Sequence, residues 1–289
     1  MTPGSFEYHR PQSVDEAVAL LGQYGDEGKV LAGGHSLVPM MKLRLAAPSH
    51  LIDINGIDDL KGIAEDGGEI VIGAGTTQAE VLASDLLAES CPILPEAAAL
   101  IADPQVRNCG TVGGNCANGD PGNDYPAIMI ALGASYTLRS ADGERQVVAA
   151  DFYEGVYATA IEDNELMIAV RIPTHADGAG MSYRKIKRKV GDYAIAAAAV
   201  TLSMDGGKCA SATVALTNVA DTAVLSAAAA DALVGSAVDD KAIDAAAEKA
   251  MADSDPAEDL RGPVEYRRAM AGEMTRRAIR EALARAGGS

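Results

Sequence analysis

Two short glycine-bearing stretches concentrate the chemistry of this 289-residue chain. The first is Ala32-Gly33-Gly34-His35-Ser36-Leu37, which follows the apolar run Lys29-Val30-Leu31. A strand ending in paired glycines and a small hydroxyl residue gathers backbone N–H groups at one point, and glycine lets a ligand's oxygens approach without meeting a Cβ. Clustered N–H groups form an anion nest suited to a diphosphate. The second stretch is Thr111-Val112-Gly113-Gly114-Asn115, followed by Ala117 and by Gly119-Asp120-Pro121-Gly122-Asn123-Asp124. Together they read as two jaws closing on one nucleotide. Ser36 and Thr111 can each donate a hydroxyl to a phosphate oxygen. Asp124 either accepts from a ribose hydroxyl or caps the helix that follows it; both readings stand.

Neither jaw has the G-x-G-x-x-G or G-x-x-x-x-G-K-[ST] spacing, so dinucleotide-fold and P-loop readings fall away. The segment Arg184-Lys185-Ile186-Lys187-Arg188-Lys189 carries a dense positive run in an otherwise acidic chain. In an alternating strand Lys185, Lys187 and Lys189 share one face, where one would neutralise a cofactor anion or dock an acidic partner; a solvated strand face is the plain alternative. Asp192-Tyr193 follows. Its ring either packs on a flat cofactor or is a half-buried strand residue. His9, His35, His50 and His175 are scattered and no G-x-S-x-G elbow occurs, so no catalytic residue is assigned and any reaction belongs to the cofactor. Cys91, Cys109, Cys116 and Cys209 contain no C-x-x-C pair and are read as buried free thiols. No metal site is expected.

The elements that must position these residues follow from pattern. Ser13 and Glu16 have capping-box spacing before a helical stripe of Val14, Ala17, Val18 and Leu21, ended by Gly22 to Gly28. Val30-Leu31 and Leu51 to Ile54 are strands, with Pro39 in the first turn of a short helix between them. This order is that of a small α/β unit with its glycine turn at a strand's carboxyl end. Further on come a strand at Ile70 to Gly73, helices through about Ala83, over Pro92 to Ile101 and over Tyr125 to Leu132, and a hairpin around Asp142-Gly143. Glu165 to Ile172 is another strand. A polar break over His175 to Gly180 marks a domain boundary. Strands over Ser182–Lys189, Ala194–Met204 and Cys209–Asn218 then precede helices at about Ser226–Leu233, Asp239–Met251 and Pro263–Ala286.

The net charge of −17 is the wrong sign for nucleic acid or an anionic membrane, and the absence of Trp with only two Phe leaves no stacking platform for bases. The N-terminus has no secretory pattern, and the longest apolar run, Tyr193 to Leu202, is too short for a bilayer. A soluble, cytoplasmic protein without a transmembrane segment is expected.

The two jaws in this order, with Phe152-Tyr153-Glu154-Gly155, the Leu166-Met167 strand, Lys185 and Asp192-Tyr193, resemble the FAD-binding medium subunit of the molybdenum hydroxylases, the xanthine dehydrogenase family. The His35-Ser36 and Gly-Asp-Pro-Gly-Asn-Asp version is most similar to the aerobic carbon monoxide dehydrogenase type. The resemblance covers essentially the whole chain and implies an α+β protein. Residues 1–175 would form a FAD-binding domain of the vanillyl-alcohol-oxidase/p-cresol-methylhydroxylase type, in subdomains of about 1–55 and 56–175. Residues 176–289 would form a C-terminal antiparallel sheet with helices.

By the same resemblance, Ala32, Gly33, Gly34, His35, Ser36 and Leu37, with Thr111, Gly113, Gly114, Asn115 and Ala117, hold the FAD diphosphate. Asn123 and Asp124 sit near the ribose and phosphates, and Leu166 or Met167 near the adenine. Lys185 is on a polar edge and Asp192-Tyr193 beside the isoalloxazine. The implied role is electron transfer in a dimer of heterotrimers. A molybdenum-cofactor large subunit oxidises the substrate and an iron–sulfur small subunit with two [2Fe–2S] clusters passes electrons on. The FAD here delivers them to a quinone, NAD or oxygen, and the chain is expected in the cytoplasm, either free in it or held by the complex at the inner face of the membrane. No inserted cysteine cluster is present, so FAD is its single expected cofactor. Alternatives are an aldehyde, purine or N-heterocycle dehydrogenase of the same family, a stand-alone flavin oxidoreductase using Tyr193 or His35 as acid/base, and a nucleotide-binding module without redox chemistry.

Overall fold

The computed structural model describes residues 2–175 and 178–287. Its first layer is a three-stranded sheet in which β1 (Glu7–His9) and β2 (Gly28–Leu31) both run parallel to β3 (His50–Asp53), in the order β1-β3-β2. Parallel neighbours require crossovers. These are α1 (Val14–Tyr24) between β1 and β2, and α2 (Leu37–Leu43) between β2 and β3. Helix α1 buries Ala17, Val18 and Leu21 in a cluster with Ile52, Ile54, Ile57 and Leu60. Its start is a shifted capping box: Ser13 Oγ accepts from the Glu16 N–H, but the Glu16 carboxylate accepts from Gln12 N–H rather than from Ser13. The helix also continues through Gly22 and stops only at Gly25, whose φ of 51° suits glycine.

The middle of the chain builds an antiparallel sheet, ordered β4-β5-β10-β6-β7, from β4 (Ile63–Asp66), β5 (Glu69–Gly73), β6 (Ser135–Ser140), β7 (Gly143–Val148) and β10 (Leu166–Pro173). Between β5 and β6 lie α3 (Gln78–Leu82), α4 (Asp85–Ser90), α5 (Ile93–Leu100), α6 (Pro104–Arg107), α7 (Val112–Ala117) and α8 (Tyr125–Ala131). A two-stranded ribbon of β8 (Tyr153–Gly155) and β9 (Ala158–Thr159) precedes β10. Every residue of α8 is buried, as expected of a helix apolar on all sides. Buried Leu and Ile side chains such as Leu87, Ile93 and Ile128 each contribute about 1.5–3 kcal/mol.

The last layer is an antiparallel sheet of β11 (Gly180–Ile186), β12 (Ala196–Asp205), β13 (Lys208–Thr217) and β14 (Val224–Leu225). Helices α9 (Ala227–Asp231), α10 (Asp240–Ala252) and α11 (Val264–Arg285) pack against it around Val200, Leu202, Val214, Leu216, Ile243, Met274 and Ile279. The α+β class and the C-terminal antiparallel sheet with helices are thus as the sequence implies. Part of the expected boundary at His175 to Gly180, residues 176 and 177, lies outside the described residues. β11 ends at Ile186, so Lys187 and Lys189 do not extend a strand face with Lys185.

Candidate functional site

The first glycine stretch leaves β2 at Leu31 and turns through Gly34, where φ is +72°, a conformation glycine adopts without strain. Residues 33 to 37 carry a row of backbone N–H groups through this turn. Among the described residues none of these N–H groups has a hydrogen-bond acceptor, while their neighbours Val38 and Met40 donate back to Gly34 and Ser36 carbonyls. Ser36 stands at the cap position of α2 but its side chain makes no cap bond, so its hydroxyl also remains available. The turn is anchored from behind: Asn55 Nδ2 donates to the Ala32 carbonyl at 2.8 Å.

The second stretch is built otherwise. Thr111 to Ala117 is not an open loop but the start and body of α7, with Thr111 Oγ1 accepting from Gly114 N–H at 3.0 Å. Val112 N–H donates to the Thr76 carbonyl, Gly113 N–H to Ala74 and Asn115 N–H to Thr111. A nest of free N–H groups is therefore not what residues 112 to 115 provide. Gly113 permits close packing instead, since a Cβ there would lie 2.5 Å from Ala74 Cβ. The two stretches meet directly. A Cβ on Gly33 would stand 2.6 Å from Gly110 Cα and closer still to the Cys109 carbonyl, and one on Gly114 would lie 3.7 Å from Ala32 Cβ.

From this junction a row of contacts leads outward. The Asn115 carbonyl accepts from Asn123 Nδ2 at 2.8 Å, and its side-chain oxygen accepts from Tyr125 N–H at 3.3 Å. Asp124 caps α8 by position only, without a side-chain cap bond, which overturns the capping reading. Its carboxylate instead takes Lys185 Nζ on one oxygen at 2.9 Å and the Tyr183 hydroxyl on the other. The Lys185 and Asp124 side chains are only 2% and 6% exposed. Burial first, and the Asp124 charge second, push the Tyr183 phenol well above its ordinary range.

At the far end, Tyr193 lies on Gly122, where a Cβ would approach its Cδ1 to 2.9 Å. Arg261 sits 5.5 Å over the Tyr193 ring. Burial pushes the Tyr193 phenol up to about 12, with Asp120 adding to the shift. Asp192 accepts from Arg188 Nε at 3.2 Å and from Tyr193 N–H. Its burial raises the carboxyl, but these two donors outweigh it and hold the group below the usual range. Asn118 Nδ2, between the ends of the row, is buried without a hydrogen-bond partner among the described residues.

The structure thus brings together Ala32, Gly33, Gly34, Gly114, Asn115, Asn123, Asp124 and Lys185, and joins Asp192-Tyr193 through Gly122. Ala117 closes α7, and His35 is exposed beside the first turn. Leu166 and Met167 are different: both side chains are buried in apolar clusters, although their strand lies against α7 and takes the Ala74 N–H on the Ile168 carbonyl. Cys109 is exposed rather than buried. Tyr183, Asn55 and Arg261 were not visible as site residues because nothing local marks them; only the fold brings them in. The positive run is largely paired internally, Arg184 with Glu281, Lys185 with Asp124 and Arg188 with Asp192.

An open row of N–H donors fits the diphosphate of FAD, and an orphaned buried amide together with a tyrosine face fits the remainder of such a dinucleotide. The fold and this site define a flavoprotein of the molybdopterin-dependent dehydrogenases. Residues 4–175 match the family model described as the FAD binding domain in molybdopterin dehydrogenase, and residues 181–282 that of the CO dehydrogenase flavoprotein C-terminal domain. The chain is 56% identical over 286 residues to the carbon monoxide dehydrogenase medium chain of Afipia carboxidovorans, covering 99% of each. It is 51% identical over 285 residues to that of Hydrogenophaga pseudoflava, again over 99% of each. A chain in the crystal structure of the cyanide-inactivated Cu,Mo-CO dehydrogenase superposes with a TM-score of 0.97 at 56% identity, over 99% of this chain and 100% of that one. The chain belongs to the carbon monoxide dehydrogenase medium-chain family, the FAD-binding oxidoreductase subunits of molybdenum hydroxylases. Among the described residues no helix is long and apolar enough to cross a membrane.

Proposed function

We propose that this chain holds FAD between its two glycine stretches and serves as the electron-exit subunit of an aerobic carbon monoxide dehydrogenase. The observation that carries the reading is the unengaged N–H row of residues 33 to 37 set directly against the second stretch. In this reading Ala32 to Leu37 bind the diphosphate with backbone N–H groups and the Ser36 hydroxyl. Thr111, Gly113, Gly114, Asn115 and Ala117 form the rigid wall opposite. Asn123 and Asp124 sit near the ribose and phosphates, the paired Lys185 is on the polar edge, and Leu166 or Met167 is near the adenine side. Asp192 fixes the backbone of Tyr193, whose ring lies beside the isoalloxazine. Bound FAD supplies the conversion between two-electron and single-electron transfer; the chain orients it and excludes water from its inner face.

Carbon monoxide as the substrate of the complex is supported by the names of the relatives at 56% and 51% identity. Its partners in this reading are an iron–sulfur small subunit and a molybdenum-cofactor large subunit, in a dimer of heterotrimers. The acceptor is a quinone, NAD or oxygen, reached from the cytoplasmic side. The test is purification of the native complex followed by its absorption spectrum, metal analysis and CO-dependent dye reduction. A complex of three chains with flavin, iron and molybdenum that reduces dye with CO is expected. A yellow chain alone, lacking iron, would move the assignment to a self-contained flavoenzyme. A complex inactive with CO but active with an aldehyde or N-heterocycle would retain the subunit role and change the substrate.

A further inference from the structure

His9 and His50 are 41 residues apart in sequence, and their spacing gives no sign of a metal site. The parallel pairing of β1 with β3 places Glu7 opposite His50 and His9 opposite Ile52. Side chains alternate along a strand, so Glu7 and His9 lie on one face, and His50 joins them there. His9 Nε2 is 3.1 Å from His50 Nδ1, and His50 Nδ1 is 3.5 Å from Glu7 Oε2. One ligand atom from each residue lies within 4.8 Å of the other two. Two donors held about 2.0–2.1 Å from one ion in a tetrahedral arrangement stand about 3.3 Å apart, close to both observed separations. A proton on His50 Nδ1 serves one of its two neighbours well, whereas a cation at their common centre serves all three.

The rings are held in place. Tyr24 stacks on His50 with centroids 3.6 Å apart and planes 11° from parallel, and its centroid is 5.0 Å from that of His9. Gly28, opposite His50 on β2, leaves the space this needs: a Cβ there would stand 3.2 Å from Tyr24 Cβ. His50 is largely covered, with 14% of its side chain exposed, while Glu7 at 73% is free to swing inward.

We propose that Glu7, His9 and His50 form a binding site for one divalent late first-row transition-metal ion, completed by water. Two imidazoles and one carboxylate select copper, nickel or zinc over magnesium or calcium, with copper bound more tightly than zinc. The site lies where β2 and β3 begin, whereas the first glycine stretch follows the end of β2, so it stands or falls independently of the flavin reading.

The test uses the full-length, untagged, FAD-loaded protein, titrated with Zn²⁺ by calorimetry and with Co²⁺ by visible absorption. One equivalent of each is expected to bind, and Mg²⁺ none. His9→Ala and His50→Ala should each weaken Zn²⁺ binding about tenfold or more and abolish the Co²⁺ bands. Glu7→Gln should weaken it less, and His175→Ala not at all. His9→Gln, at the more accessible ring, carries the test if His50→Ala fails to fold. No Zn²⁺ heat and no Co²⁺ band in the unaltered protein, or binding unchanged by the His9 substitutions, would overturn the site.

Discussion

The two glycine stretches look alike on paper and are used in opposite ways. In residues 33 to 37 the backbone N–H groups have no acceptor among the described residues, and the glycines serve the turn and the approach to Gly110. In residues 112 to 115 every N–H is engaged, with Thr76, Ala74, the Thr111 hydroxyl and the Thr111 carbonyl. There the glycines serve packing. Buried donors left without partners cost about 1–3 kcal/mol, so a chain keeps a donor row unpaired where it stays open to a ligand. The first stretch is thus the binding element and the second is the frame it leans on. Substitutions in the frame should cost stability first, and substitutions in the open turn should cost flavin first.

The largest stability effect is expected where the frame ends. Asp124→Ala leaves Lys185 buried without its carboxylate, and removing one partner of a buried pair costs about 3–5 kcal/mol. Replacing both, as Asp124→Leu with Lys185→Met, should cost far less than the sum of the single changes, because no charge is left uncompensated. Denaturant midpoints of the four proteins measure the coupling. Additive losses would mean that the pair does not hold the frame together.

Gly33→Val comes next, and it tests the junction. Its Cβ would meet the Cys109 carbonyl and lie 2.6 Å from Gly110 Cα, atoms of main chain that cannot swing aside. Overpacking of this kind costs about 1–3 kcal/mol. Separating the stretches should also empty the site, read as loss of the flavin absorbance from the purified protein. Gly113→Ala, pressing on Ala74 Cβ at 2.5 Å, should cost a similar amount while leaving flavin bound in the folded fraction. Full flavin occupancy in Gly33→Val would break the assignment of the first stretch as the diphosphate element.

The same contrast marks what was legible in the sequence. Gly34 and the run after Leu31 announce a turn at a strand's end, and that turn exists with its donors open. The Thr111 stretch carries the same glycine signature, but Thr111 followed by Gly114 at N3 is also a helix start, and Thr76 and Ala74, which take its N–H groups, lie too far back in sequence to be paired by pattern. Asp124 shows the limit most clearly. Its two local readings, cap or ribose acceptor, left out partners on a distant strand, because Lys185 and Tyr183 reach it only once the sheet of β11 to β14 packs against α8 through β12 and β13. Strands β12 and β13, by contrast, are nearly as read from Ala194–Met204 and Cys209–Asn218, since the apolar run of β12 and the Gly206-Gly207 turn are local signals. β4 was not anticipated; its exposed, charged residues give it little apolar pattern. The same reasoning explains why His9 and His50 appear scattered until parallel register aligns them.

The finest test exchanges two hydroxyls, one in each stretch. Thr111 Oγ1 accepts the Gly114 N–H at 3.0 Å in a buried position, so Thr111→Ala should cost about 1 kcal/mol, the usual value of an N-cap. Ser36 makes no cap bond, so Ser36→Ala should leave the unfolding midpoint of the flavin-free protein within about 0.5 kcal/mol of the parent. Its effect should appear only in flavin binding, where loss of one hydrogen bond to a charged phosphate is worth about 1.5–3 kcal/mol. Measuring stability without flavin and affinity for flavin on the same two variants therefore gives a crossed pattern. A Ser36 variant that is destabilised without flavin and binds it normally would make both stretches frame, and would leave the open N–H row without a purpose in this fold.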